Sequence, residues 1–123
     1  LFVMEQDGGI VASCRINRRQ EDSYARFQWR HAVPDDQVMV LHTLTVAPWA
    51  EGKGCARAFV GYYEDYAARH GCPCLRMDTN AINTAARSLY KKLGYTESGI
   101  VPTTFNGIGG VMLVGLEKWI GGM

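Results

Sequence analysis

The sequence predicts the α/β class, as one mixed, mostly antiparallel sheet flanked by helices. Three observations carry that expectation. The run VMVLHTLTV at Val38–Val46 is apolar and β-branched, and it is cut off by Pro48. Downstream, a short strand-like run alternates with two stretches of helical period. Paired apolar runs around glycine-containing turns open and close the chain, as hairpins do. With 123 residues, the chain is one domain over 1–123, able to bury roughly two-thirds of its unfolded surface. An apolar content of 47% and a charged content of 20% are those of an ordinary globular protein.

The first hairpin joins runs 1–6 and 9–16 across Asp7-Gly8-Gly9, residues that tolerate the positive φ of a tight turn. The polar connection 18–37 carries Tyr24, Phe27 and Trp29. These aromatics cap one edge of the core, or else the segment is a flap over a binding site. In Val38–Val46, strict alternation puts Val38, Val40, His42, Leu44 and Val46 on one face and Met39, Leu41, Thr43 and Thr45 on the other. Both faces are largely apolar, so the strand is expected to be buried on both sides.

A helix beginning at Gly54 turns Ala56, Phe59, Val60, Tyr63 and Ala67 inward and ends near His70, with Gly71 and Pro73 stopping it. Residues 75–79 form a short strand. Asn83 is the expected N-cap of a helix over 84–93 that turns Ala86, Leu89, Tyr90 and Leu93 inward and is closed by Gly94. Runs 95–104 and 111–119 are closing strands, with 105–110 a glycine-rich loop.

A net charge of +1 gives no general attraction to nucleic acid or to an anionic membrane, so neither is expected as a partner. No apolar run reaches membrane-spanning length. The four cysteines (Cys14, Cys55, Cys72 and Cys74) form no small-scaffold framework, which points to a reducing cytoplasm. The chain opens at Leu1, already in strand-like sequence and without an initiator Met, so a preceding segment is expected.

The chemistry starts where the central strand turns through Gly52-Lys53-Gly54 into a helix. Free amides and the positive end of the helix dipole point the same way there, which suits an anion, and glycine lets a phosphate approach the backbone. A Walker loop is excluded by the glycine spacing and by Cys55 after Gly54. A dinucleotide fingerprint is excluded by Arg57, which stands where its third glycine belongs. What remains is a short pyrophosphate cradle from about Gly52 to Ala56.

Three features read together are more specific. They are Leu44-Thr45-Val46 entering the turn, Glu51-Gly52-Lys53-Gly54-Cys55-Ala56 within it, and Asn83-x-x-Ala86-x-x-Leu89-Tyr90-x-Lys92-x-Gly94-Tyr95 downstream. This arrangement, spanning residues 38–95, resembles the GNAT superfamily of acetyl-CoA-dependent N-acetyltransferases, and its small bacterial members most of all. The resemblance implies a GNAT-like acyl-CoA N-acyltransferase fold. It is N-terminally incomplete here, because the family's first strand and helices precede the hairpin.

It also implies roles. Backbone groups of Leu44 and Val46 would pair with the pantetheine arm of acetyl-CoA, and an N–H at or beside Leu44 would bind the thioester oxygen. The turn from Glu51 through Gly52, Lys53, Gly54 and Cys55 to Ala56 would bind the cofactor, its amides from Gly52 onward holding the pyrophosphate. Asn83 and Ala86 would line the cofactor further along, and Tyr90 would protonate the departing thiolate. Trp49 departs from the Gln or Arg usual three residues before the first turn glycine, and should reshape the phosphate site without abolishing it. A helical tyrosine on the face of Ala86 and Leu93 is ordinarily a core residue with a bonded hydroxyl; the surrounding motif favours a catalytic or cofactor-contacting one.

An attacking amine must lose a proton, and His42, with an ordinary pKa of about 6.5, is the candidate base. The alternatives are a buried, satisfied His42, a base at Asp78, and water acting as the base, as in many members of the superfamily. For Asp78, a structural ion pair with Arg76 or Arg87 is the stronger reading. Cys55 is expected to tuck against the turn. Cys72 and Cys74 lack the partners a metal or redox site needs, so no metal is expected.

The resulting expectation is acetyl transfer to a small-molecule or peptide primary amine in a splayed gap beside the central strand. A CoA-binding domain without transferase activity is the second reading. Tyr24, Trp29, Trp49 and the stretch 102–110 would shape the acceptor pocket. An exposed edge would invite pairing into a homodimer.

Overall fold

The computed structural model describes residues 1–105 and 107–121. Among them the chain forms β1 (Phe2–Gln6), β2 (Gly9–Asn17), β3 (Val38–Val46), α1 (Cys55–Arg69), β4 (Cys74–Asn80), α2 (Thr84–Lys92), β5 (Thr96–Phe105) and β6 (Ile108–Trp119). Single 3-10 turns at Asp22–Arg26, Asp35–Gln37 and Pro48–Ala50 punctuate the connections. The described strands make one sheet in the order β1-β2-β3-β4-β6-β5, antiparallel except for the parallel pair β3/β4. This is the expected mixed α/β architecture, and no described helix is long and apolar enough to cross a membrane.

Two apolar clusters sandwich the sheet. On one face, Phe59, Val60, Tyr63 and Ala67 of α1 and Tyr90 of α2 pack on Ala12, Cys14, Met39, Leu41, Leu75, Met77, Val114 and Leu116. The Tyr63 hydroxyl donates to the Met39 carbonyl at 2.6 Å, with the Arg76 carbonyl at 3.1 Å, so α1 is fixed over the seam between β3 and β4. The other face is covered by the connection 18–37, whose Tyr24 and Phe27 are buried with Val38, Val40, Cys74 and Val101. Gly115 makes this possible, since a Cβ there would lie 2.7 Å from the Phe27 ring. Polar pins complete the attachment: Arg76 donates to Gln20 and to the His31 carbonyl, and buried Glu117 accepts from the Arg30 amide. The two readings of this connection therefore merge, because the segment is both a core cap and the wall of a cavity.

The structure corrects the central strand. Val38 to Leu41 are buried on both sides, but from His42 to Val46 the strand is half-buried or exposed. The face assignment also breaks. Thr43 has φ 52°, and between the pairs Arg15↔His42 and Ser13↔Thr45 two residues of β3, Thr43 and Leu44, lie opposite the single Cys14 of β2. This bulge reverses the alternation. Leu44 and Val46 therefore pack with the helix-side cluster alongside Met39 and Leu41, and do not share the face of Val38, Val40 and His42.

The second consequence lies at the parallel seam. Pairing of β3 with β4 runs only from Val38↔Cys74 to Leu41↔Met77. Beyond it, β3 stays with β2 through Val46, while β4 stays with β6 through Asn80. The strands part, and one backbone edge of residues 42–46 is left without a partner strand among the described residues.

Smaller corrections follow from packing. Cys55 is buried where Ala56 was expected to be, and in α2 only Tyr90 is fully buried, with Ala86, Leu89 and Leu93 half-buried. The glycine-rich loop 105–110 is largely strand, because β6 begins at Ile108; Asn106, part of that loop, lies outside the described residues.

Candidate active site

On the helix side, the end of β3 leads into a rigid turn. Ala50 N–H donates to the Ala47 carbonyl at 2.9 Å, and Ala47 N–H reaches back to Val11 at 2.8 Å. Ala50 and Cys55 are buried together with Val11, so Cys55 is tucked under the turn as expected. Gly52 and Gly54 sit at φ 77° and 81°, a conformation in which a side chain is strained. Gly54 is the N-cap of α1 and supplies no side-chain acceptor. The amides of Gly52, Gly54, Cys55, Ala56 and Arg57 consequently donate to no acceptor among the described residues. They border a 260 Å³ cavity lined by Val46, the turn, the start of α1 and Leu89 of α2. Free donors at a positive dipole end, without a blocking Cβ, make a cradle that fits a phosphate-bearing ligand.

On the opposite face, where β3 and β4 part, lies a 340 Å³ cavity. Its lining includes Glu21, Asp22, His42, Thr43, Asp78 and Thr103, and no Lys or Arg. His42 Nε2 lies 2.8 Å from Asn17 Oδ1, and Nδ1 lies 3.6 Å from Glu21. Burial lowers its pKa below the ordinary 6.5, against the opposing pull of Glu21 and Asp78, so the imidazole is held toward its neutral form. The ion pair expected between Asp78 and Arg76 or Arg87 is not formed. Asp78 accepts from the Tyr24 hydroxyl at 2.7 Å, while Arg87 forms a two-pronged pair with Glu97 and Arg76 lies against Trp29. Burial raises the Asp78 pKa above 3.8, and the Tyr24 bond opposes the rise.

A cradle and a carboxylate-lined cavity thus flank one bulged strand at the point where the sheet opens. The sequence model described as Acetyltransferase (GNAT) family matches residues 1–95. The chain belongs to this family. It is 38% identical over 97 residues to YhfO of Bacillus subtilis, an uncharacterized N-acetyltransferase, across 79% of this chain and 58% of that protein. It is 32% identical over 97 residues to mycothiol acetyltransferase of Renibacterium salmoninarum, across 76% of this chain and 29% of that enzyme. The chain spans less than two-thirds of the length of these curated relatives. Its fold superposes on YncA of Salmonella typhimurium, solved with its cofactor acetyl-CoA, with a TM-score of 0.75 at 20% identity, over 98% of this chain and 64% of that one. A GCN5-related N-acetyltransferase from Kribbella flavida gives a TM-score of 0.69 at 25% identity, over 92% and 62%.

Within this GNAT fold the expected site residues fall into distinct places. Val46, Glu51, Gly52, Gly54, Cys55 and Ala56 line the cradle, whereas Leu44, Lys53, Asn83 and Ala86 are not part of its lining. The Asn83 side chain caps α2, accepting from the Ala86 amide at 3.1 Å. Tyr90 is buried on the helix side, edge-on to Tyr95, and its hydroxyl forms no hydrogen bond among the described residues. Burial raises the Tyr90 pKa, with Asp78 and Cys14 adding to it, so the phenol stays protonated. Cys72 and Cys74 belong to opposite clusters and do not meet in one site.

Trp49 is not in the carboxylate-lined cavity; it stands on the outside of the turn before the cradle, 69% exposed. Of the stretch 102–110, Thr103 and Thr104 do line the cavity, while Tyr24 and Trp29 line a neighbouring one. Sequence reasoning missed Glu21 and Asp22, and also Arg57 and Leu89 at the cradle. The adjacent carboxylates were visible as a pair, but only the Tyr24–Asp78 contact, 54 residues apart in sequence, brings them over β4.

Proposed function

We propose that this GNAT chain transfers the acetyl group of acetyl-CoA to the nitrogen of a primary amine, small-molecule or peptide. The observation that carries the reading is the pairing of a phosphate cradle on one face with a carboxylate-lined cavity on the other, joined where β3 leaves β4. The acetyl-CoA held by YncA supports the choice of donor. In this reading the pyrophosphate lies on the amides from Gly52 to Ala56. The pantetheine arm runs as an added strand along the free edge at Leu44 and Val46, and presents the thioester at the opening.

The carboxylates of Glu21, Asp22 and Asp78 attract a cationic amine, and no Lys or Arg stands among the lining residues. Attack needs the neutral amine. His42, held toward its neutral form, takes the proton directly or through a water. The amine nitrogen then bonds to the carbonyl carbon, and an amide of the bulged strand carries the charge that develops on the oxygen. The C–S bond breaks, the thiolate takes the Tyr90 proton, which burial has kept on the phenol, and the second proton of the amine nitrogen passes through water to restore the phenol as the neutral amide forms. Placing the two reactants on either side of one opening supplies much of the rate.

The test is calorimetric titration of acetyl-CoA, together with thiol release when amines are offered, in the native chain and in Tyr90→Phe. Retained binding with turnover reduced about a hundredfold or more is expected of the variant. Binding without turnover in both proteins would leave the second reading, a CoA-binding domain, and no binding would sink the proposal.

A further inference from the structure

Trp49 is unexplained by either pocket. Trp49 is the only aromatic side chain among the described residues that is more than half exposed, and it makes no ring or hydrogen-bonding contact among them. Its position is nevertheless fixed. The 3-10 turn Pro48–Ala50 is bonded at both ends and anchored by buried Ala50, so the indole is held outward on a rigid support. Holding a large apolar ring in water on a fixed turn wastes its burial, unless something flat covers it.

The covering group follows from distance. Gly52 lies three positions after Trp49, a span of at most about 11 Å. A CoA whose pyrophosphate lies on the Gly52–Ala56 amides must project its adenosine out of the cradle, since the pantetheine side is taken by the sheet opening. Lys53 and Arg57 are exposed on either side of Gly54 and balance the negative charge of that nucleotide end. We infer that Trp49 is the platform on which the adenine ring of acetyl-CoA stacks, and that it makes this chain select nucleotide-bearing donors over shorter pantetheine thioesters. The inference rests on the acetyl-CoA reading above and adds to it a residue and a selectivity.

The experiment compares two donors, acetyl-CoA and S-acetyl-4′-phosphopantetheine, with the native chain, Trp49→Ala and Trp49→Phe. Trp49→Ala should raise the Kd for acetyl-CoA about tenfold, as loss of a base–aromatic stack does. It should leave the Kd for the shorter donor unchanged. Trp49→Phe should recover part of the loss. CoA should quench tryptophan emission in the native chain, and the quench should vanish in Trp49→Ala. An equal loss for both donors, or an unchanged Kd for acetyl-CoA, overturns the platform. A native chain that binds no acetyl-CoA overturns the donor reading itself, and the platform with it.

Discussion

The Tyr24 hydroxyl donates to Asp78 Oδ2 at 2.7 Å, and this bond fastens the 18–37 connection to the strand flooring the carboxylate-lined cavity. Tyr24 is itself fully buried, while Asp78 is half-buried in the cavity wall. Loss of the hydroxyl leaves a half-buried carboxylate short of a donor. Tyr24→Phe is therefore expected to lower stability by about 1–3 kcal/mol in urea unfolding at neutral pH. The loss should shrink in acid, once Asp78 is protonated and no longer a charged acceptor.

Asp78 makes a prediction of opposite sign. Its folded pKa is raised above 3.8, so the folded chain holds this proton more tightly than the unfolded chain. Its contribution to stability therefore falls as pH rises from about 3.8 through the raised value, and the cost is complete above it. Asp78→Asn, which still accepts from Tyr24, should gain stability over the native chain at neutral pH. The two should converge below about pH 3.8 in unfolding titrations run at both pH values.

Gly115 tests whether the connection shapes acceptor binding. A Cβ added there meets the Phe27 ring at 2.7 Å, and an aromatic ring packed in a cluster has nowhere to turn. Gly115→Ala should cost about 1–3 kcal/mol through overpacking. It should raise the KM for the amine while leaving the calorimetric Kd for acetyl-CoA unchanged. Equal damage to both would mean that the two faces are not separable.

Thr43 carries the bulge in a conformation that a β-branched residue disfavours, at φ 52°. In Thr43→Gly, relief of that strain opposes the added freedom of the unfolded chain, so stability should change by less than about 1 kcal/mol, and acetyl-CoA binding should persist. Thr43→Pro, whose ring fixes φ near −65°, cannot form the bulge and should lose binding. Calorimetry on both variants, with circular dichroism to confirm folding, checks the pair.

The pH dependence of turnover distinguishes His42 from water as the base. With His42 accepting the proton, kcat should rise with pH through a titration below 6.5, because burial lowers the imidazole pKa, and His42→Gln should abolish that limb. A limb that survives in the variant would assign the step to water. No alkaline fall from Tyr90 is expected below pH 10, since its pKa lies above that value.

Much of this was legible in the chain because the signals were local. Asp7-Gly8 makes the first hairpin turn, the Asn83 side chain caps α2, and Gly71 and Gly94, at φ 71° and 96°, end the helical segments. Each outcome depends on neighbours a few residues away. The glycine cradle was legible for the same reason, since backbone freedom at Gly52 and Gly54 is written at those positions. The carboxylate-lined side was not. Glu21 reaches His42, and Tyr24 reaches Asp78, only because the connection folds back across the sheet over Gly115.

The sequence by itself determined the element order, the mixed sheet, the cradle and the family, because period, caps and glycine positions act over short range. The tertiary structure decided which way β3 faces. Strict alternation put Leu44 beside His42, but one extra residue in the ladder against β2 reverses it, and no propensity at Thr43 announces that residue. The bulge exists because β3 must match β2 on one edge while leaving β4 on the other. That constraint belongs to three strands at once, so it can be read only after they are assembled.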